Sequence, residues 1–107
     1  MADVWIIFTA KDLEREVSKS DKLIVLEFMA PWNEPSTAMN EPYGQISRAC
    51  KDYVNFYALN VDYYTDLADE AGVEALATYV LLNNNDEMDM IVGVERQELE
   101  NDIKTNI

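Results

Sequence analysis

The stretch from Glu27 to Ser36 reads Glu-Phe-Met-Ala-Pro-Trp-Asn-Glu-Pro-Ser. It continues a nearly unbroken apolar run that begins at Leu23, which is typical of a central strand covered on both faces. Pro35 then stands where a helix can begin, because proline is well tolerated in the first helical turn. The stretch therefore predicts a buried strand that leads into a helix, with Trp32 at the junction.

Strand and helix patterns alternate along the rest of the chain, as in an α/β layer fold. A short apolar run comes first, and Thr9 followed by Asp12 predicts a capping box that opens a helix. The remaining elements are predicted as strands at 54–61, 78–82 and 89–92 and as helices at 65–71 and 95–106. The Asn-rich segment 83–86 is predicted to be a turn, since its residues tolerate left-handed backbone.

Two of the predicted helices carry apolar stripes. In the helix that begins near Pro35, apolar residues recur at helical spacing. These residues are Met39, Tyr43, Ile46, Cys50 and Tyr53. The final helix has a similar face, made of Leu99, Ile103 and Ile107. We expect both stripes to pack against the sheet.

Length and charge exclude several classes of protein. A chain of 107 residues forms one domain with its own core, so we assign 1–107 to a single domain. The net charge of −13 disfavours nucleic acids and anionic membranes, because binding to either requires Lys and Arg. The chain has neither a long apolar run nor a basic, apolar signal segment at its start, which predicts a cytoplasmic protein.

The chain contains a single cysteine, Cys50, and no histidine. One thiol excludes an internal disulfide, and the missing histidine removes the usual general base and the usual metal ligand. A catalytic triad on Ser36 is excluded for the same reason. The place of Cys50 in the apolar stripe favours a packed side chain, with a regulatory thiol as the alternative. We expect no metal and no cofactor.

Positive charge is missing from a long part of the chain. No Lys or Arg occurs from Asp52 through Glu95, whereas ten Asp and Glu residues do. Two interpretations remain open. The acidic residues either form a solvated surface that keeps the protein soluble and monomeric, or they steer a protein partner with a basic surface toward the molecule.

The order of elements and several local segments resemble the thioredoxin family, in particular an animal cytosolic thioredoxin. The opening stretch is similar to the family's active-site segment, Ala-x-Trp-Cys-x-x-Cys, with Asn33 and Ser36 at the two cysteine positions. Other similar segments are Asp21 to Phe28, Asn60-Val61-Asp62, Ala71-Gly72-Val73, Val92-Gly93-Val94 and Leu99 to Ile103. The resemblance implies a three-layer thioredoxin-like α/β sandwich, with a central mixed sheet of five strands flanked by four helices.

The resemblance also implies that the family's chemistry is lost. Disulfide exchange needs an attacking thiolate and a second thiol, which the carboxamide of Asn33 and the hydroxyl of Ser36 do not provide. Glu27 matches the family's buried acid; its carboxyl group is expected either buried, with a raised pKa, or partly exposed. Leu76-Ala77 stands where the family has a cis-proline. We expect a trans bond there, since a cis bond before a residue other than proline costs about 2.5–4 kcal/mol.

We therefore expect a redox-inactive, non-enzymatic protein that binds a protein partner non-covalently through the surface around the former cysteine positions. The contact residues predicted there are Trp32, Pro35, Tyr63, Tyr64, Leu76 and Ala77. Two alternatives remain, namely an acidic domain that binds Ca²⁺ weakly through many carboxylates, and a thioredoxin-fold protein that acts through Ser36 or Cys50. Salt-dependent binding would favour the first function, Ca²⁺-dependent compaction the second, and turnover of a disulfide or ester the third.

Overall fold

The computed structural model describes residues 4–6, 22–83, 86–92 and 96–106. The strands are β1 (Val4–Ile6), β2 (Leu23–Met29), β3 (Val54–Asn60), β4 (Thr78–Asn83) and β5 (Asp86–Val92). The helices are α1 (Glu34–Ala38), α2 (Asn40–Cys50), α3 (Thr65–Ala71) and α4 (Arg96–Asn106). The helix predicted from Thr9 lies outside the described residues, so the number of flanking helices stays a prediction.

The described strands form one mixed sheet in the order β1-β3-β2-β4-β5. Strand β3 pairs in parallel with β1 and β2, whereas β4 pairs antiparallel with β2 and β5. The central position of β2 explains its apolar sequence, because residues 23–28 are buried from both sides. The predicted α/β fold and its central strand are confirmed.

Two hydrophobic clusters cover the sheet, one on each face. Alternate side chains of a strand point to opposite faces, so β2 contributes to both clusters. The first cluster contains Val25 of β2 together with Tyr43 of α2 and Leu99 of α4. The second contains Leu26 of β2 and Ala68 of α3. Helices α2 and α4 therefore lie on the first face, and α3 lies on the second.

The apolar stripe of α2 is buried as predicted, except at its last member. The buried members are Met39, Tyr43, Ile46 and Cys50. Tyr53 is 61% exposed, because α2 ends at Cys50 and the chain turns before β3 begins. Tyr43 fixes the helix to the sheet, since its hydroxyl lies 3.2 Å from the carbonyl oxygen of Val25 and 2.9 Å from that of Tyr57.

The pairing of the strands brings three loops to one end of the sheet. Because β2 and β3 are parallel and Met29 pairs with Asn60, the segments that follow both strands leave at the same end. Strand β4 is antiparallel to β2 and pairs Thr78 with Phe28, so the segment that precedes β4 arrives at that end as well. Residues 30–33, 61–63 and 73–77 thus form one surface, which we call the loop face.

Candidate functional site

Two aromatic side chains are exposed on the loop face. Trp32 is 66% exposed, and its indole N–H donates to the carboxylate of Asp62, with distances of 3.0 Å to Oδ2 and 3.2 Å to Oδ1. Tyr63, the neighbour of Asp62, is 80% exposed. The hydrogen bond joins the first two loops and holds the tryptophan ring at the surface. Such preorganisation reduces the entropic cost of a later contact.

The residues at the predicted cysteine positions support the start of α1. Asn33 is the N-cap, and its Oδ1 accepts a 2.9 Å hydrogen bond from the backbone N–H of Ser36. Pro35 stands in the first turn, as the sequence predicted. Ser36 is fully buried, and its Oγ lies 3.4 Å from the backbone nitrogen of Ala30. The carboxamide is thus used as a cap, and the hydroxyl faces the interior.

Glu27 is buried in β2, so its carboxyl group is not exposed at the loop face. It is 2% exposed, and its Oε2 accepts a 2.8 Å hydrogen bond from the hydroxyl of Tyr79. Burial raises the pKa of Glu27 to about 7, while the hydrogen bond from Tyr79 acts in the opposite direction. Burial and the nearby Glu27 carboxyl also raise the pKa of Tyr79. Of the two arrangements expected for this acid, the structure has the buried one.

The peptide bond between Leu76 and Ala77 is cis. The expected trans bond was therefore wrong. The intrinsic preference for a trans bond does not decide the conformation here, because contacts of the neighbouring residues also determine the backbone path. Ala77 is buried, Thr78 pairs with Phe28 at the start of β4, and the Thr78 hydroxyl donates to the carbonyl oxygen of Ala75.

The predicted contact residues are divided between the surface and the core. Trp32 and Tyr63 are exposed, and Leu76 is half-buried. Tyr64 and Ala77 are buried, with 6% and 2% of their surfaces exposed. Tyr64 was predicted as a contact residue of this surface, but its side chain packs into the second hydrophobic cluster, and its backbone stands at the N-cap position of α3. The part of these residues in partner binding stays a prediction.

A groove of about 380 Å³ separates α3 from the segment that follows it. Its apolar lining residues are Val61, Ala68, Val73, Ala75 and Leu76. Its carboxylates belong to Asp62, Asp69 and Glu74. We call this feature the acidic groove; it adjoins Trp32, because Asp62 both lines the groove and accepts the indole hydrogen bond. The sequence indicated the acidic character of this region but not the groove, which forms only when α3 packs on the sheet.

Metal sites, membrane-spanning helices and the single cysteine are the remaining features that bear on function. Within residues 4–6, 22–83, 86–92 and 96–106, no three or more acidic or cysteine side chains are arranged to hold a metal ion. No helix in those ranges is long and apolar enough to cross a membrane. Cys50 is buried in α2, and burial raises the pKa of its thiol, which favours the unreactive neutral form.

A family profile and individual relatives that match this sequence carry the same family description. The family profile described as Thioredoxin matches residues 4–105. Thioredoxin-1 of Schizosaccharomyces pombe is 36% identical over 87 residues, which cover 81% of this chain and 84% of the relative. The thioredoxin of Malassezia sympodialis is 30% identical over 95 residues, which cover 88% of this chain and 90% of the relative.

Solved structures agree with these sequence matches. The thioredoxin NaTrxh of Nicotiana alata is 30% identical with a TM-score of 0.91, over 97% of this chain and 92% of that one. The germline-specific thioredoxin Deadhead of Drosophila melanogaster is 26% identical with a TM-score of 0.89, over 100% of both chains. Fungal and plant thioredoxins match this chain as well as an insect one does, so the narrower resemblance to animal cytosolic thioredoxins stays a prediction. From the profile match and the fungal relatives, the chain belongs to the thioredoxin family.

Proposed function

We propose that this chain is a redox-inactive thioredoxin-family protein that binds a protein partner non-covalently through the loop face. One observation carries the proposal. At the positions that we assign to the family's two cysteines, Asn33 caps a helix and Ser36 is buried, whereas the adjacent Trp32 is 66% exposed. A family fold does not fix a function, so the argument rests on these side chains.

The proposed partner presents a basic surface around an apolar contact. Trp32 supplies a large, rigid side chain of the type that dominates binding energy at protein interfaces. The carboxylates of the neighbouring acidic groove supply the complementary charge. The proposal further includes a monomer in the cytoplasm that acts as an adaptor and catalyses no reaction.

The test is affinity capture with matched aromatic variants. The immobilised wild-type chain is compared with Trp32→Ala and with Tyr53→Ala, since these two side chains are similarly exposed, at 66% and 61%. Tyr53 precedes β3, so it lies at the end of the sheet away from the loop face. We expect Trp32→Ala to weaken the captured partner's affinity by about 30-fold, which corresponds to about 2 kcal/mol for an interface tryptophan. Tyr53→Ala should bind like the wild type.

Equal binding by the wild type and Trp32→Ala would contradict the proposal. Loss of binding in Tyr53→Ala alone would place the contact at the other end of the sheet.

A further inference from the structure

The acidic groove combines two chemical features, an apolar lining and several carboxylates. Its lining includes the apolar residues Val61, Ala68, Val73 and Leu76. It also includes the exposed acidic residues Asp62, Asp69 and Glu74. We propose that the groove binds the side chain of an arginine or lysine from an extended segment of the partner. This inference rests on the proposed function and specifies the chemistry of its partner.

The shape of such a side chain fits the two features of the groove. Arginine and lysine have aliphatic stems that pack along apolar surface while the charged head stays among polar groups. In the groove, the stem would lie against Val73 and Leu76, and the cation would reach the carboxylates of Asp69 and Glu74. A purely apolar side chain would leave these charges without a counterpart, so the groove favours a cation.

None of the residues that line the groove is a lysine or an arginine. No Lys or Arg occurs between Asp52 and Glu95, a range that includes every residue lining the groove. Among the described residues, Arg96 and Lys104 belong to α4, on the face of the sheet opposite to α3. Both of these cations contact Glu100 on their own helix, at 2.9 and 3.7 Å.

The groove is also connected to the proposed tryptophan contact. Asp62 lines the groove at one end and accepts the indole N–H of Trp32 through both carboxylate oxygens. An extended segment that covers Trp32 would therefore have its next residues beside the groove. A divalent cation is a poorer occupant, because no group of three or more acidic side chains within the described ranges has a metal-binding arrangement.

The test uses two peptides that differ only in charge. The ¹⁵N-labelled protein is titrated with acetyl-Ala-Leu-Arg-Leu-Ala-amide and with the same peptide carrying citrulline, the neutral analogue of arginine. We expect the arginine peptide to shift backbone resonances of residues 61–76 in a saturable manner. The citrulline peptide should bind about tenfold more weakly, because each exposed ion pair contributes modestly and the groove offers several carboxylates.

Two double variants separate the groove from general attraction to an acidic protein. Asp69→Asn with Glu74→Gln should reduce the affinity of the arginine peptide to that of the citrulline peptide. Asp52→Asn with Glu98→Gln removes the same charge from exposed positions outside the groove and should retain the preference for arginine. Asp62 is left unchanged because it holds Trp32.

Several results would overturn the inference. These are equal affinities for the two peptides, equal losses in the two double variants, or no shifts among residues 61–76 with either peptide. None of them removes the proposed function, which fails separately if Trp32→Ala leaves partner capture unchanged.

Discussion

Glu27 holds a carboxyl group inside the protein, where the hydroxyl of Tyr79 is its hydrogen-bond donor at 2.8 Å. The family resemblance implies that, in thioredoxins with both cysteines, the matching acid relays protons to a cysteine thiol. In this chain the single thiol belongs to Cys50, in the stripe of α2, while Ser36 has a hydroxyl that faces the interior. We therefore expect protonation of Glu27 to affect the stability of the fold rather than a reaction.

The raised pKa of Glu27 predicts that stability falls as the pH rises. In the folded protein the pKa is about 7, against an ordinary value of 4.5, so the folded state binds more protons between these two values. The stabilisation is fully present below about pH 4.5 and is lost as the pH rises through about 7. We expect the total loss to be about 3 kcal/mol.

Urea unfolding of the wild type and Glu27→Gln between about pH 5 and about pH 8 isolates this effect, because glutamine does not titrate. The free energy of unfolding of the wild type should fall relative to that of Glu27→Gln as the pH rises. A difference that stays constant over this range would show that burial does not hold the proton on Glu27.

At the scale of helices and strands, the sequence predicted correctly those elements that have a continuous apolar face. The apolar run of β2 and the stripe of α2 are such faces, and both are buried apart from Tyr53. Helix α3 ends at Ala71 as predicted, and Gly72 follows it with a φ of 78° that favours glycine. Strand β5 begins at Asp86, earlier than predicted. Its first residues pair with β4 beyond a shift in register, which alternation in the sequence does not reveal.

The loop face was harder to predict, because it is assembled from three segments that are distant in sequence. Tyr53 and Tyr64 both lie beside the ends of elements, where exposure depends on how the chain turns. The first proved exposed and the second buried, each against expectation. Trp32 was identified from its motif, but its bond to Asp62 depends on the parallel pairing of β2 and β3.

The shortest helix gives a direct test of the role of Asn33. Helix α1 has five residues, and the side chain of Asn33 accepts the backbone N–H of Ser36 at 2.9 Å. Asn33→Ala removes this acceptor and should lower the free energy of unfolding by about 1 kcal/mol. Asn33→Asp keeps an acceptor oxygen and adds a negative charge favourable at a helix start, so it should remain close to the wild type. Urea unfolding measures both variants, and an unaffected Ala variant would exclude a capping role.

At the scale of the whole molecule, the charged side chains of the described residues are distributed unevenly over the two faces of the sheet. The net charge is −13, yet Arg48, Arg96 and Lys104 all belong to α2 and α4, which cover the first face. The acidic groove lies beside α3, which covers the second. This asymmetry favours approach of a basic partner toward the second face and the adjoining loop face. The rate at which a basic partner associates should therefore decrease with increasing salt, because salt screens the electrostatic attraction.

The chain is expected to lack disulfide reductase activity, although its fold is that of the thioredoxin family. Reduction of a disulfide requires one thiol to attack and another to resolve the mixed disulfide, whereas this chain has only Cys50. That thiol is buried with a raised pKa, so little thiolate is present to begin the reaction.

Insulin reduction in the presence of a thioredoxin reductase system should therefore proceed at the same background rate with the wild type and with Cys50→Ser. An ordinary thioredoxin with both cysteines serves as the positive control, and turnover by the wild type above the Cys50→Ser rate would overturn the redox-inactive assignment.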